Sequence, residues 1–120
     1  MYKPQNSIYP FRHLPFHRLD VYRVALDLVR LAGGLNAHRG TAEIREQFRR
    51  SSSSCALNIA EASGKQGADR RRFFMIARGS ACESAAALDV LAALGAINSN
   101  IHEKGLHLCD RLYSMLNRLT

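Results

Sequence analysis

Apolar residues recur along most of this chain at intervals of three and four, the spacing that gathers them on one face of an α-helix, and no strand-like alternation competes. The rest of the chain is organised around the stretch from Gln47 to Glu61. In and beside it, Ile44, Phe48, Ser51, Ser52, Cys55, Ile59 and Ala62 share a helix face, while Arg50, Ser54, Asn58 and Glu61 share a neighbouring one. Four consecutive serines, Ser51 to Ser54, would suit a linker, and serine is a mediocre helix former because its hydroxyl competes for backbone groups. Yet neither glycine nor proline occurs between Thr41 and Ser63, so one continuous helix is predicted. An apolar seam beside a polar stripe with both signs of charge suits a helix buried on more than one side, its ions paired.

The same spacing predicts three more helices. The first starts near Leu19 and carries Val21, Tyr22, Ala25, Leu28, Val29, Ala32 and Leu35; Gly33-Gly34 and then Gly40 close it. The second spans about Thr41, its N-cap, to about Ser63, with Glu43 in the first turn. Gly64-Lys65-Gln66-Gly67 makes a turn, and Asp69 is the residue available to cap the next helix. That third helix carries Phe73, Ile76, Ala77, Ser80, Ser84, Ala87, Leu88, Leu91 and Leu94 on one face and ends at Gly95. Its middle is small on nearly every side, from Gly79-Ser80-Ala81-Cys82 through Ala85-Ala86-Ala87, which predicts a second contact between subunits. The fourth shows Ile101, Gly105, Leu108, Leu112, Met115 and Leu119, flanked by Leu106, Cys109, Tyr113 and Leu116.

Before about Arg18 the pattern changes. Pro4, Pro10 and Pro15, interleaved with Tyr2, Tyr9, Phe11 and Phe16, forbid a long helix and predict an extended arm over residues 1–17. The arm is either a tail or a strap docked on its own bundle or on a neighbouring subunit. Residues 18–120 then form an all-α domain, an antiparallel up-down-up-down four-helix bundle.

A length of 120 residues supports one domain with a real core, and a hydrophobic content of 47% fits a globular protein. Charge alters the picture: 17 Lys+Arg against 10 Asp+Glu leaves a net of +7, and fourteen of the cations are arginine. Guanidinium groups make planar two-pronged contacts with phosphate and carboxylate, so the bias points to anionic partners. Cys55, Cys82 and Cys109 are widely spaced and each falls inside a helical pattern, so they read as small core residues of a protein in a reducing cytoplasm. No secretory signal or membrane span is expected.

Four-helix bundles can house metals through Glu-x-x-His pairs. Here Glu43, Glu61, Glu83 and Glu103 are followed three positions later by Glu46, Gly64, Ala86 and Leu106, so no metal and no other cofactor is expected. His13 and His17 are separated by Pro15, which spoils their alignment, and His102, His107 and Cys109 share no face cleanly. Neither a Gly-x-Ser-x-Gly elbow nor a phosphate-loop spacing occurs, and no enzyme is predicted. Glu61 and Glu83 sit among small apolar neighbours, where an unpaired buried carboxylate is costly, so a structural ion-pair network with Arg50 and Arg78 is expected between the second and third helices. Arg45, Arg49, Lys65, Arg70, Arg71 and Arg72 crowd the second helix, the turn after it and the start of the third, and form the predicted nucleic-acid-binding surface. Cations at a helix start oppose the helix dipole, a hint of another use.

Phe16-His17-Arg18-Leu19-Asp20-Val21-Tyr22, Gln47-Phe48-Arg49-Arg50, Asn58-Ile59-Ala60-Glu61 and Ile76-Ala77-Arg78-Gly79-Ser80 with Glu83 resemble, in order and spacing, a bacterial four-helix bundle family. That family includes proteins encoded by intervening sequences within 23S ribosomal RNA genes and is related to the accessory variability determinant of diversity-generating retroelements. The resemblance runs from about Phe16 to Leu119. It implies a homopentameric ring and, for the retroelement branch, a basic surface that binds nucleic acid and a reverse transcriptase; it implies no catalytic residues. Ala56 and Ala62 stand where the family pattern has proline and glycine, so the second helix should be straighter here. Asn36-Ala37-His38-Arg39 replaces a Phe-Pro element. The expectation is therefore a non-enzymatic homo-oligomeric scaffold that binds RNA or DNA backbone, beside a reverse transcriptase or other protein partner. The alternative is a protein–protein interaction bundle that touches no nucleic acid.

Overall fold

The serine run folds as the middle of one rod. In the computed structural model, which describes residues 14–120, α2 (Ala42–Ser63) is a single uninterrupted helix about 33 Å long. It buries Phe48, Ser51, Ser52, Cys55, Ala56, Ile59 and Ala62, the expected seam with Ala56 added and Ile44 half-buried at its start. The remaining helices are α1 (Asp20–Gly33), α3 (Gly67–Ala93) and α4 (Ser99–Leu119), preceded by a 3-10 turn at Pro15–Arg18. Residues 1–13 of the predicted arm lie outside the described residues. Pro15 to Arg18 are not extended: proline's fixed φ suits the first position of the turn, and Phe16 packs edge-on against Tyr22 at 4.9 Å.

Each helix packs on its sequence neighbours and α1 closes on α4, while the diagonal pairs do not approach among the described residues. That is an up-down-up-down bundle. The most extensive packing is α2 on α3, where hydroxyls and small groups let the backbones come close. Ser51 and Ser84 sit oxygen to oxygen at 2.7 Å, and Ser54 and Ser80 at 3.0 Å, the rising and falling numbers marking antiparallel helices. Under α4, a Cβ on Gly105 would lie 2.5 Å from Leu88 Cδ1 and 3.1 Å from Leu31 Cδ2, so its missing side chain admits two leucines from α3 and α1.

The expected face of α3 is buried along its middle, at Ala77, Ser80, Ser84, Ala87, Leu88 and Leu91, and differs at its ends. Phe74, not Phe73, is fully buried, and Phe74, Ala77, Ala81, Ser84, Leu88 and Leu91 follow a strict three-four alternation. Ile76 and Leu94, expected inside, are exposed. In α4 the seam is Gly105, Leu108, Cys109, Leu112 and Leu116, leaving Met115 half-buried and Leu119 exposed. Cys55 and Cys109 are buried as expected, but Cys82 is exposed, on the margin of α3 that faces α4.

Two expected caps are not made. Thr41 precedes α2, but the backbone turn from His38 points its hydroxyl backward, and Oγ1 donates to the His38 carbonyl at 2.6 Å. Asp69 lies inside the first turn of α3, because Gly67 at φ +59° already starts the helix. The far end of α3 closes through Gly95 at φ +72°: the Gly95 N–H bonds the Ala92 carbonyl at 3.0 Å and the Ala96 N–H bonds the Leu91 carbonyl at 2.9 Å.

Candidate nucleic-acid interface

The six cations expected on one surface form two groups along α2. Arg49 precedes Lys65 by sixteen residues, a rise of about 24 Å. Near the start of α2, Arg45 Nε donates to Thr41 Oγ1 at 3.3 Å, and Arg49 and Arg50 both lie beside Glu46, at 4.0 and 3.5 Å. With Glu43 on the same turn, that group is close to neutral.

The α2–α3 turn is different. Three arginines and a lysine converge on two phenylalanines. Arg70 is committed to the fold: its guanidinium donates to the carbonyls of Ala62 and Ser63 at 3.3 and 3.4 Å, satisfying the C-terminal end of α2, and lies 5.0 Å from the centre of the Phe74 ring. Arg72 lies over the half-buried Phe73 ring at 4.5 Å, and Lys65 reaches it at 5.8 Å. The acids facing them are solvent-exposed and lie three or four residues back along the chain, Glu61 at 3.3 Å from Lys65 and Asp69 at 3.4 Å from Arg72. Exposed pairs of this kind are weak and readily screened, so both cations can exchange to a phosphate at little cost. Arg71 is exposed and in no ion pair among the described residues. The antiparallel topology brings the last turn of α4 against the start of α1, which places Arg118 at the same end.

The ion-pair network expected between α2 and α3 is not formed among the described residues. Glu61 and Glu83 are both exposed, so neither carries the desolvation cost that would demand a buried partner. Arg50 turns to Glu46, one helical turn back, rather than to Glu61 or Glu83. Arg78 instead crosses to α4, donating to Asn117 Oδ1 at 2.6 Å and to Thr120 Oγ1 at 3.2 Å. Both acceptors are neutral, so the half-buried charge of Arg78 has no carboxylate partner among the described residues.

One surface feature was not read from the sequence, and a second was read only in part. Tyr113, expected on the flank of the α4 seam, is 43% exposed with the Arg78 guanidinium 5.7 Å from its ring centre. The outer side of α3 carries a second apolar stripe, Met75, Gly79, Ala86 and Val90, with the strongly exposed Leu57 on the outer side of α2. The small residues of α3 signal this second stripe only as a general absence of charge. Among the described residues, no group of three or more His, Cys, Asp and Glu side chains is placed to hold a metal ion, and no helix is long and apolar enough to cross a membrane.

No curated protein matches the chain. The sequence model of the family described as 23S rRNA-intervening sequence protein matches residues 17–118.

Proposed function

The chain belongs to the 23S rRNA-intervening sequence protein family, and on that premise we propose that it is a non-enzymatic, homopentameric scaffold that binds RNA or DNA backbone through the basic end of its bundle. The observation that carries this reading is the cluster at the α2–α3 turn. There Lys65 and Arg72 are held by exposed acids one turn back along the chain and by the Phe73 ring, and Arg71 is in no ion pair among the described residues. Arg70 supports the surface from behind rather than contacting phosphate. Arg45 and Arg49 form a second, weaker contact along α2 that a long ligand would reach. Assembly into a ring repeats the basic end around an axis and multiplies its field. The outer stripe of α3 supplies the apolar face for that assembly, and Glu83 beside it pairs with a cation of the neighbouring copy.

Binding that rests on phosphate contacts is salt-dependent and tolerant of sequence. With three exchangeable cations per chain, the slope of log affinity against log salt is expected near −2 to −3 per engaged subunit, at roughly 0.7 to 0.9 per contact. A titration of duplex and single-stranded RNA and DNA at two salt concentrations measures it. Replacing Lys65, Arg71 and Arg72 together by glutamine should flatten the slope and weaken every ligand alike. Light scattering reads the subunit number, and Ala86→Glu should reduce it; a monomeric parent protein overturns the assembly.

The accessory role toward a reverse transcriptase comes from the resemblance to the retroelement branch and is tested by co-purification with the polymerase of a neighbouring gene. If no nucleic acid binds at low salt while the ring still forms, the bundle serves protein partners alone. Exposed Leu57, on the outer side of α2, favours that second reading.

A further inference from the structure

Between α3 and α4, away from the α2–α3 turn, lies a pocket of about 240 Å³ lined by Ala81, Cys82, Ala85, Leu106, Cys109, Asp110 and Tyr113. Its floor is made of small and aliphatic groups, its rim carries one aromatic ring, and Asp110 is the only charged residue lining it. Tyr113 is exposed, and the guanidinium of Arg78 stands 5.7 Å from its ring centre. Arg78 lies one turn before Cys82 on α3, and Arg71 lies two turns further back on the same face, roughly 10 Å along the axis. Neither arginine is paired with a carboxylate among the described residues.

We propose that this pocket takes an unpaired guanine of a single-stranded nucleic acid whose backbone runs along Arg78 and Arg71 toward the basic end. The proposal rests on the basic-surface reading and adds to it a base site and a strandedness. A flat apolar recess beside an exposed aromatic ring suits a splayed-out base, which proteins hold by stacking and by hydrogen bonds to its Watson–Crick edge. The carboxylate selects which base. Asp110, when ionised, only accepts hydrogen bonds, through two oxygens side by side. Guanine offers two adjacent donors on that edge, N1–H and the N2 amine. Adenine and cytosine each offer one amine beside an acceptor nitrogen, which a carboxylate repels, and uracil offers one N–H between two carbonyls. A paired base has this edge occupied, so a duplex cannot enter.

The experiment uses the full chain and short unstructured RNA strands labelled with fluorescein, identical but for one central position holding guanine, inosine or adenine, together with a duplex of the same length. Inosine keeps N1–H and lacks the N2 amine. The guanine strand should bind about tenfold more tightly than the adenine strand, with inosine between them. Tyr113→Leu should lower affinity for the guanine strand about tenfold, and Asp110→Asn should abolish the preference for guanine while leaving the duplex unchanged. Asp110 is exposed and its replacement is isosteric, so folding is preserved. Equal affinity for the three strands, or an unaltered Tyr113→Leu variant, overturns the pocket while salt-dependent duplex binding survives. Loss of all binding at low salt overturns the pocket together with the basic surface beneath it.

Discussion

Replacing Ser51 and Ser84 by alanine, singly and together, tests whether the α2–α3 contact is built as its hydroxyls indicate. Both residues are buried, at 3% and 0% exposure, so water cannot substitute for a lost partner. Ser51 Oγ lies 3.2 Å from the Phe48 carbonyl and 2.7 Å from Ser84 Oγ, and Ser84 has no other side-chain hydrogen bond among the described residues. Each hydroxyl has one proton, so Ser51 donates to Phe48 and Ser84 donates to Ser51. The two single changes therefore differ. Ser84→Ala leaves Ser51 with its carbonyl and removes one net hydrogen bond, about 1 kcal/mol, of which alanine's better helix propensity offsets about half. Ser51→Ala strands a buried donor, which costs about 1–3 kcal/mol before the same offset, the low end applying if Ser84 swings back to a carbonyl of its own helix. The double variant strands nothing and should fall within about 0.5 kcal/mol of the parent. Urea or thermal unfolding followed by circular dichroism reads these differences, at roughly 4 °C per kcal/mol for a domain of this size. Non-additivity of about 0.5–3 kcal/mol is expected; a double variant equal to the sum of the singles refutes the shared bond.

Gly105→Val should cost about 2 kcal/mol or more in the same unfolding assay, since its side chain enters space held by Leu88 and Leu31, and Leu88 is fully buried; unchanged stability would mean that the bundle yields there. Arg70→Gln should destabilise by about 1–2 kcal/mol through the lost carbonyl bonds and ring contact, whereas Arg71→Gln should be neutral, which separates the structural cation from the binding one. Burial pushes the thiols of Cys55 and Cys109 up to about 12, so brief alkylation of the folded protein at pH 8 should label Cys82 alone by mass spectrometry. The same shifts make stability depend on pH: because the folded values are raised, the contribution is whole below about 9 and declines as pH climbs from about 9 to 12, so unfolding midpoints should fall across that window and recover part of the loss in Cys55→Ala.

The fold was legible because its signal is periodic over long stretches. Twenty-two residues of α2 without glycine or proline outweigh the poor helix propensity of four serines, and burial turns those serines from a weakness into the spacers of the tightest helix pair. Where the period is ambiguous the reading slipped. Phe73 and Phe74 are adjacent, both fit a three-four pattern with Ala77, and only packing chooses Phe74. Ile76 and, at the far end of α3, Leu94 are exposed as well, whereas Ala77, Ser80, Ser84, Ala87, Leu88 and Leu91 between them are buried as the pattern predicts. Thr41 failed as a cap for a related reason: residue type names a capping hydroxyl, but the turn before it decides where the hydroxyl points.

Charge was legible in amount and not in arrangement, because most surface cations pair with an acid about one turn back along the chain. Arg50 takes Glu46, Lys65 takes Glu61 and Arg72 takes Asp69, leaving Glu83 without an ion partner among the described residues. Glu61 and Glu83 are exposed, so no desolvation cost forces them into a network across the helices, and the inter-helical contact of Asp89 on α3 with His102 on α4, at 2.7 Å, also lies at the surface. The α2–α3 seam instead uses neutral hydroxyls, which need only one another and a nearby carbonyl. That choice is what frees cations for the surface: a bundle held by serine, alanine and leucine has no internal need for Arg71, and Arg78 finds only neutral acceptors on α4. Substituting a buried pair for the serines, as in Ser51→Arg with Ser84→Glu, should therefore unfold the bundle rather than tighten it. Native-like helicity and melting in that variant would contradict the division between a neutral core and an ionic exterior.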